Sequence, residues 1–381
     1  MGQDIKGSYL YYRNITADIK KQSGIDMKVA GQITGFNNSG LSCRFVFCSQ
    51  PESFVSKVIS CLPFAPDGIS WPNPEDFKDD SFMYVRQPRF ISKQMIRFLE
   101  QVKRINSDCK IILELPNYPY DQEMKIPLLY PAYLKDKRAR KKLSTVIDRI
   151  AVIKKTSPEE IFGVPRLLFV NGIDFQRIRA TRVVSDISQI NIFFAAYTVK
   201  GDLRYGTDRL LEGLAQYYQN GGQRDVQAHF AIGGGEAPSI ERQIKNLNLE
   251  SKVHFYGEVP WYKLDDITDK CTIAMAPLGL HRIGATTTSA LKTREYLAKG
   301  IPFFFSGGVD VFEDHVEDFC LEIPADDSPV DIEELIKFHD SLYRKYDQEQ
   351  LIQRIRNYAM KKVSVEVAMK DVISYIKENC E

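Results

Sequence analysis

The pattern of apolar and polar residues near the start of the chain predicts a strand–helix–strand unit. Residues 9–12 and 41–47 have the apolar character of strands, and residues 25–36 have helical spacing. Ser23 and Gly24 open the helix. Because folds of this kind bind ligands beyond the carboxyl ends of their strands, Gly24 is a candidate ligand contact.

The same alternation continues along the rest of the chain. Further strands are predicted at 82–86, 110–114, 167–170, 192–196, 228–232, 253–259 and 272–277, and further helices at 210–218, 240–247, 332–344, 348–361 and 365–377. A single core stops growing near about 250–300 residues, so a chain of 381 residues predicts two domains. The pattern therefore predicts an α/β protein with two doubly wound sheets.

The stretch from Ser289 to Phe305 predicts a helix that leads through Gly300 into a buried strand. Thr286, Thr287, Thr288 and Ser289 place four hydroxyl groups at the expected helix start. Free N–H groups and the positive end of the helix dipole favour an anion such as a diphosphate at this position. Simple N-capping is the alternative, and for a Thr/Ser run alone it is the more frequent one.

Two charged residues strengthen the anion-site interpretation. Lys292 and Glu295 follow one turn apart on the predicted helix. The cation lies near the helix start, and the carboxylate lies one turn deeper, at a depth suited to ribose hydroxyls. The stretch is therefore a candidate nucleotide site.

Residues 295–302, Glu-Tyr-Leu-Ala-Lys-Gly-Ile-Pro, resemble the E-A-x-A-x-G-x-P signature of retaining GT-B glycosyltransferases of the broad family-four type. The longer pattern that begins at Arg282 and Gly284 resembles a bacterial polysaccharide-assembly subgroup. The resemblance implies two Rossmann-like domains that face a central cleft. It also implies that Glu295 is the second, ribose-binding member of the family's glutamate pair, whereas Thr287 stands where the family has the first, which contacts the donor sugar.

The resemblance further implies the domain boundaries. Asn171-Gly172-Ile173-Asp174 is similar to the motif that closes the first GT-B domain. Residues 1–174 then form the acceptor-side domain, residues 175–360 the nucleotide-sugar domain, and residues 361–381 a helix that crosses back to the first domain.

Several donor contacts follow from the same resemblance. The loop around Gly206 corresponds to the donor-phosphate loop, with Lys200 and Arg204 as its nearest cations. Residues 253–259 resemble the strand that borders the nucleotide base. The full set of expected donor contacts is Gly24, Lys200, Gly206, Gly233, Tyr256, Val259, Thr287, Thr288, Ser289, Ala290, Leu291 and Glu295.

The glycine run at 233–235 and the acids Glu114 and Asp121 each leave two interpretations open. Three consecutive glycines allow a ligand to approach the backbone or simply form a turn, and the turn is favoured. Glu114 and Asp121 flank the loop after a predicted strand, where they could meet the acceptor. A rigid turn with a satisfied Asp is the alternative for that loop.

Residues 128–142 combine an apolar and aromatic segment with six cations in the last eight positions. Such a pair suits docking on anionic lipid headgroups, and a solvated helix face is an equally good interpretation. Nucleic acid is a weaker third possibility, because a formal net charge of +1 gives no overall attraction to it.

Composition excludes some other classes of protein. The seven cysteines form no C-x-x-C pair, and His281 has no partner ligand at metal spacing, so we expect reduced thiols and no metal. We expect no cofactor either. No apolar run reaches the roughly 20 residues of a membrane span, and the N-terminus lacks the apolar core of a signal peptide, so we expect a cytoplasmic protein. Peripheral attachment at the inner membrane face is left open.

The predicted function is transfer of a sugar from a nucleotide-diphosphate sugar to a glycan or lipid-linked acceptor. By resemblance the reaction retains anomeric configuration and needs no metal. Cations stabilise the charge that develops on the leaving diphosphate, so Arg204, Lys292 and Arg282 are the catalytic candidates, with Glu114 and Asp121 on the acceptor side. A sugar-nucleotide epimerase and a degenerate transferase that acts as a binding module are the alternatives.

Overall fold

The computed structural model describes residues 5–13, 15, 23–153, 157–312 and 315–380. The chain forms two compact units. The first contains Met1–Asp174 and Val365–Glu381, and the second contains Phe175–Ser364.

The first unit is built on a seven-stranded sheet. Its strands are β1 (Lys6–Tyr11), β2 (Ser42–Phe47), β3 (Phe82–Arg86), β4 (Lys110–Leu115), β5 (Arg149–Val152), β6 (Glu160–Ile161) and β7 (Val164–Leu168). The order is β2-β1-β3-β4-β5-β7-β6, and all neighbours are parallel except the β6–β7 pair. Every residue of β3 is buried, because helices cover both faces of a parallel sheet.

The helices of this part of the chain are α1 (Gly24–Asn38), α2 (Phe54–Cys61), α3 (Lys93–Ile105), α4 (Asp121–Met124) and α5 (Tyr130–Ala139). The first begins where the sequence predicts, because Ser23 and Asp26 form a reciprocal capping box. Helix α2 was not predicted. Its sequence, Phe-Val-Ser-Lys-Val-Ile-Ser-Cys, is short and rich in β-branched residues, so it lacks a helical signature.

The second unit has a six-stranded parallel sheet of order β10-β9-β8-β11-β13-β15 and a two-stranded sheet of β12 and β14. The strands are β8 (Ile190–Thr198), β9 (Val226–Gly234), β10 (Val253–Phe255), β11 (Ile273–Met275), β12 (Thr287–Thr288), β13 (Phe303–Ser306), β14 (Gly308–Val309) and β15 (Cys320–Ile323). The helices are α6 (Thr207–Gln219), α7 (Ala237–Asn246), α8 (Asp265–Thr268), α9 (Leu291–Lys299), α10 (Ile332–Lys345) and α11 (Gln348–Val363).

Strand β13 shows how this sheet is packed on both faces. Its three phenylalanines alternate between two cores, with Phe304 in one and Phe303 and Phe305 in the other. Successive side chains of a strand point to opposite faces, so an apolar triplet is what a doubly covered strand needs. The prediction of an α/β protein with parallel sheets is confirmed.

The end of the chain returns to the first unit through α12 (Val365–Ala368) and α13 (Lys370–Asn379). The Val365 N–H donates to Ile173 O at 3.1 Å, and the Val170 N–H donates to Ala368 O at 3.1 Å. A Cβ on Gly172 would lie 2.7 Å from Val365 Cα, so only glycine allows this approach. The single helix predicted at 365–377 is two helices, and the return begins at Val365 rather than at residue 361.

Candidate functional site

The loops that follow β8 and β11 lie side by side at the carboxyl edge of the second sheet. The Leu278 N–H donates to Tyr205 O, and the Gly279 N–H donates to Arg204 O, both at 3.0 Å. Gly206 has φ +58°, and a Cβ there would lie 2.9 Å from the Leu278 carbonyl carbon. The start of α6 therefore requires glycine. The close approach and the two hydrogen bonds hold the predicted donor-phosphate loop against the loop that follows β11.

The three glycines at 233–235 pack the end of β9 against the end of β8. Gly234 has φ +87°, and a Cβ there would lie 2.0 Å from Thr198 O. The Gly235 N–H donates to Thr198 O at 2.8 Å, and Thr198 Oγ1 donates to Gly233 O at 2.9 Å. These close approaches account for Gly234 and Gly235. Gly233 and Gly234 are the last residues of β9, so only Gly235 lies in a turn, and a donor contact by Gly233 stays a prediction.

The hydroxyl run before α9 does not cap the helix. Thr287 and Thr288 are extended and pair with Gly308 and Val309, and Ala290 occupies the N-cap position without a side-chain hydrogen bond. The prediction that Thr286–Ser289 lie at the helix start was therefore wrong by a few residues, because β-branched threonines here extend a two-stranded sheet. The first-turn N–H groups of α9 receive no side-chain cap, so Leu291 opens an uncapped helix.

Lys292 lies beside the donor-phosphate loop. Its Nζ is 5.2 Å from the centre of the Tyr205 ring and 5.8 Å from the centre of the Phe194 ring. Burial lowers the pKa of Lys292, the charge of Glu295 opposes this shift, and the charge of Arg204 adds to it. Within the described part of the chain, Lys292 forms no hydrogen bond and no ion pair.

Glu295 is likewise without a hydrogen-bond or ion-pair partner among the described residues. Burial raises the pKa of its carboxyl group, and Lys292 and Lys299 oppose that shift only in part. Lys299 pairs instead with Asp265. Among the described residues, Glu295 forms no salt bridge with Lys292 or Lys299 on its own helix. Helix α9 therefore presents one cation and one carboxylate that have no hydrogen-bond or ion-pair partner there.

Arg204 completes this group of charges. Its Nε lies 2.7 Å from Asp202 Oδ1, and its side chain is 50% exposed, whereas that of Asp202 is only 5% exposed. Lys200, on the same loop, is exposed. The structure therefore brings together Arg204, Gly206, Lys292 and Glu295, which we call the donor cluster.

Arg282, a predicted catalytic cation, is paired with two carboxylates. Its two terminal nitrogens donate to Asp208 at 2.8 and 2.7 Å, and its Nε donates to Asp327 at 2.6 Å. The hydrogen bond to Asp208 is the main reason why the pKa of Arg282 is raised. Asp327 also contacts His281 Nε2 at 3.0 Å. This geometry holds the loop after β11 to the start of α6.

Arg209, which sequence reasoning missed, supports the same loops from inside. Its side chain is fully buried, and it donates to Leu278 O and Ser328 O at 2.7 Å and to Pro324 O at 3.0 Å. Asp202 and Asp208 were also missed. The sequence shows only that Arg209 stands next to the apolar positions of α6. It cannot indicate the burial of Arg209, because the three carbonyl acceptors lie about 70 to 120 residues away.

The remaining predicted donor contacts are dispersed. Strand β10 ends at Phe255, so Tyr256 and Val259 lie in the loop after it, and the Tyr256 hydroxyl lies 2.9 Å from His229 Nδ1. Ser289 and Ala290 precede α9. Gly24 opens α1 in the first unit and is not part of the second unit, which contains the other predicted contacts.

Glu114, near the carboxyl end of β4, is buried, and both of its carboxylate oxygens have hydrogen-bond or ion-pair partners. Its carboxylate is 2.5 Å from Arg86 Nη1, 3.3 Å from Lys28 Nζ, 2.9 Å from the Tyr84 hydroxyl and 3.0 Å from Gln32 Nε2. Burial alone would raise the pKa of Glu114, but the charges of Lys28 and Arg86, together with these hydrogen bonds, lower it to about 2. We call this group the Glu114 cluster.

Asp121, the other predicted acceptor-side acid, starts α4 and is engaged by Arg140. The guanidinium donates to its two oxygens at 2.6 and 3.1 Å, and this hydrogen bonding lowers the pKa of Asp121. The interpretation of a satisfied Asp in a rigid turn therefore describes its geometry. For Glu114, full burial argues against direct contact with an acceptor.

The described ranges contain neither a cluster of metal ligands nor a membrane-spanning helix. No group of three or more His, Cys, Asp or Glu residues is placed to hold a metal ion there. No described helix combines the length and apolar character that crossing a membrane requires.

Comparison with solved structures identifies the fold. A glycosyltransferase from Rickettsia africae ESF-5 aligns over 99% of both chains with TM-score 0.58 and 8% identity. Anabaena HepE in complex with UDP aligns over 98% of this chain and 100% of its own with TM-score 0.56 and 11% identity. The lipopolysaccharide outer core galactosyltransferase WaaB aligns over 98% of this chain and 99% of its own with TM-score 0.55 and 13% identity.

The chain has the GT-B fold. Both sheets are the parallel, helix-covered sheets of its two Rossmann-like domains. Neither a protein-family model nor a curated protein sequence matches the chain. At these identities the likeness shows the GT-B architecture alone. Function has to be inferred from the chemistry of the donor cluster.

Proposed function

We propose that this GT-B protein is a glycosyltransferase that moves a sugar from a nucleotide-diphosphate sugar to a glycan or lipid-linked saccharide. The observation that carries this proposal is the pair Lys292 and Glu295. Both are partly buried and one turn apart, and neither has a hydrogen-bond or ion-pair partner among the described residues, beside the loop of Arg204 and Gly206. A protein gains little stability from such charges, so a ligand is the natural partner.

The cations act on the leaving group. When the bond between the sugar and the diphosphate breaks, negative charge grows on the diphosphate oxygens. Lys292 and Arg204 then interact more strongly with the transition state than with the ground state, which is the condition for catalysis. The uncapped N-termini of α6 and α9 add backbone N–H donors for the same anion.

Glu295 binds the nucleotide ribose. An ionised carboxylate accepts hydrogen bonds from two vicinal hydroxyls, and bonds to a charged group contribute about 1.5–3 kcal/mol each. These hydroxyls would replace the hydration that Glu295 has lost. Arg282 is then a positioning residue, since its guanidinium is held by Asp208 and Asp327.

The proposal extends to a retaining, metal-independent, cofactor-independent reaction with no protein nucleophile. HepE is described in complex with UDP and with UDP-glucose, which makes UDP-sugars the first donors to test for this chain. WaaB is named for the lipopolysaccharide outer core, which makes lipid-linked saccharides the first acceptors to test. We propose a cytoplasmic enzyme, peripheral at the inner membrane face, that does not use nucleic acid.

A panel of labelled UDP-, GDP- and ADP-sugars tests the proposal. We expect one donor to be hydrolysed slowly without acceptor, and the released sugar to keep its anomeric configuration when followed by NMR. Lys292→Met and Arg204→Met should each lower kcat by more than they raise KM. The exposed Lys337→Met serves as the matched control.

Two outcomes would contradict the proposal. An epimeric sugar nucleotide as the product would show an epimerase with the same pocket. No turnover and no nucleotide binding across the whole panel would show a degenerate transferase that acts as a binding module.

A further inference from the structure

The first unit exposes an apolar ridge that the sequence pattern did not reveal. Helix α2 and the loop after it expose five large apolar side chains, and Phe54 is 70% exposed while Phe64 is fully exposed. These five, which we call the apolar ridge, are Phe54, Val55, Ile59, Leu62 and Phe64. A folded protein leaves an apolar cluster of this kind exposed at an interaction site.

Helix α5 extends the ridge. The Lys135 Nζ donates to Ser60 O at 2.8 Å, to Leu62 O at 2.9 Å and to Ala65 O at 2.8 Å, so the two helices are joined at the end of α2. Near this junction the chain exposes four more apolar side chains, namely Ile126, Leu128, Tyr130 and Leu134. The apolar part of residues 128–142 is therefore one side of a larger surface.

The charges around the ridge are mostly positive. Its exposed or partly exposed cations are Lys57, Arg89, Lys125, Lys135, Lys137, Arg138, Lys141 and Lys142. None of these eight lies within ion-pair distance of a carboxylate in the described parts of the chain. Lys135 and Arg89 donate instead to neutral backbone carbonyls, so their positive charge is not cancelled.

The acids of the same region point inward. Asp67 accepts hydrogen bonds from Ser92 and Trp71, and Asp136 accepts from the Ile91 N–H at 2.7 Å and the Tyr120 hydroxyl at 3.0 Å. Asp67 and Asp136 are both buried. Glu52 and Glu123 are the exposed acids of residues 48–71 and 121–145, and Asp121, whose side chain is 35% exposed, is paired with Arg140. The surface thus offers apolar side chains within a net positive border.

We infer that the apolar ridge inserts into the headgroup boundary of an anionic lipid bilayer, with the surrounding cations on the phosphates. Apolar side chains bordered by uncompensated cations are the chemistry that such a boundary recognises. A second copy of this chain is a poor occupant, because a two-fold interface would set the same cations against each other.

The position of the ridge agrees with a lipid-linked acceptor. Helix α2 follows β2, and α4 and α5 follow β4, so both connections leave the carboxyl edge of the same parallel sheet. That edge is where folds of this kind bind ligands. This link to the acceptor rests on the proposed function, whereas the binding of lipid does not.

Flotation of the full-length protein with vesicles tests the inference. We expect it to float with vesicles of phosphatidylglycerol and phosphatidylcholine at low salt, to float much less at about 0.5 M salt where the Debye length is short, and to stay unbound with phosphatidylcholine alone. No nucleotide sugar is present, so failure of the proposed function would not affect this result.

Two sets of variants locate the contact. Phe54→Ser with Phe64→Ser should weaken partitioning by at least about tenfold, because each aromatic ring loses its burial. Val183→Ser with Met360→Ser, which changes two exposed apolar residues of the second unit, should leave it unchanged. Lys137→Gln, Arg138→Gln and Lys141→Gln together should weaken it by about tenfold or more, whereas Lys337→Gln, Lys361→Gln and Lys362→Gln should have little effect.

Three results would overturn the inference. The first is that the unmutated protein ignores anionic vesicles at low salt. The second is that the ridge variant floats as well as the unmutated protein while its circular dichroism shows that it is folded. The third is a dimer, seen by light scattering without lipid, that the ridge variant abolishes, which would make the ridge an interface between two copies.

Discussion

The donor cluster and the Glu114 cluster differ in how many hydrogen-bond and ion-pair partners surround their glutamates. Glu114 has two cations and three neutral donors around one carboxylate, and its pKa is lowered to about 2. Glu295 has no hydrogen-bond or ion-pair partner among the described residues, and its pKa is raised. One lies in each of the two units, and both units are built on a parallel sheet, so the fold alone does not make the difference.

The contrast separates a structural network from a binding site. A satisfied buried carboxylate holds together the elements that supply its partners, here α1, β3 and β4. A shielded charge without a partner costs folding free energy, and that cost is recovered when a ligand of opposite charge or suitable hydroxyls arrives. Substitutions should therefore affect stability in one cluster and ligand binding in the other.

The largest expected effect is on the stability of the first unit. Glu114→Gln leaves Lys28 and Arg86 buried without their carboxylate, and breaking a buried pair in this way costs about 3–5 kcal/mol. Denaturant unfolding should show this loss of the free energy of unfolding. The exposed Glu123→Gln is the matched control and should change it by less than about 0.5 kcal/mol. A mild effect of Glu114→Gln would remove the distinction between the clusters.

The next effect is on ligand binding in the second unit. Lys292→Met should weaken nucleotide affinity by about 10- to 100-fold, because one charge-assisted contact is worth about 1.5–3 kcal/mol. The melting temperature without ligand should stay the same or rise, because a desolvated charge is removed. Calorimetric titration and a thermal melt measure the two quantities. A clear loss of stability would mean that Lys292 has a structural partner.

The pH dependence of stability should have opposite signs at the two glutamates. Because its pKa falls from 4.5 to about 2, Glu114 adds stability that is present above pH 4.5 and lost as the pH falls towards 2. Because the pKa of Glu295 is raised, ionisation of this carboxyl costs stability at neutral pH, and the cost disappears as the pH falls through the raised pKa.

Unfolding curves between pH 7 and pH 3 measure this difference. Relative to the unmutated protein, Glu114→Gln should be less stable at pH 7 by an amount that shrinks on acidification. Glu295→Gln should be as stable or more stable at pH 7. If both variants change in the same direction with pH, the comparison of the two clusters fails.

The smallest effect belongs to the support of the donor loops. Arg282→Lys keeps the charge but loses the two-pronged contact with Asp208 and the bond to Asp327, so we expect about 1 kcal/mol less stability and a loss of a few fold in kcat/KM. A steady-state assay with the active donor measures it. A loss as large as that of Lys292→Met would place Arg282 on the substrate after all.

Local signals predicted much of the fold. Ser23 and Gly24 mark the start of α1, and the three phenylalanines of β13 mark a buried strand. The one-turn spacing of Lys292 and Glu295 needed no tertiary information, since it follows from helix geometry. These parts of the account depend on residues close together in the chain.

The parts that could not be predicted depend on distant residues. The threonines before α9 became a strand only because Gly308 and Val309 offer a partner. The sequence shows Glu114 only as an acid near the end of a strand. Its ion-pair partners, Lys28 and Arg86, come from other elements. Arg209 is buried by carbonyl groups that the sequence cannot place.

The most direct test of the central claim is a thermal-shift measurement with UDP, GDP and ADP on the unmutated protein and on Lys292→Met. A ligand that binds only the folded state raises its stability in proportion to the logarithm of its concentration over Kd. We predict that one nucleotide raises the Tm of the unmutated protein and that the same concentration gives a much smaller shift with Lys292→Met. No shift with any nucleotide, or an equal shift in both proteins, would contradict the assignment of the donor cluster.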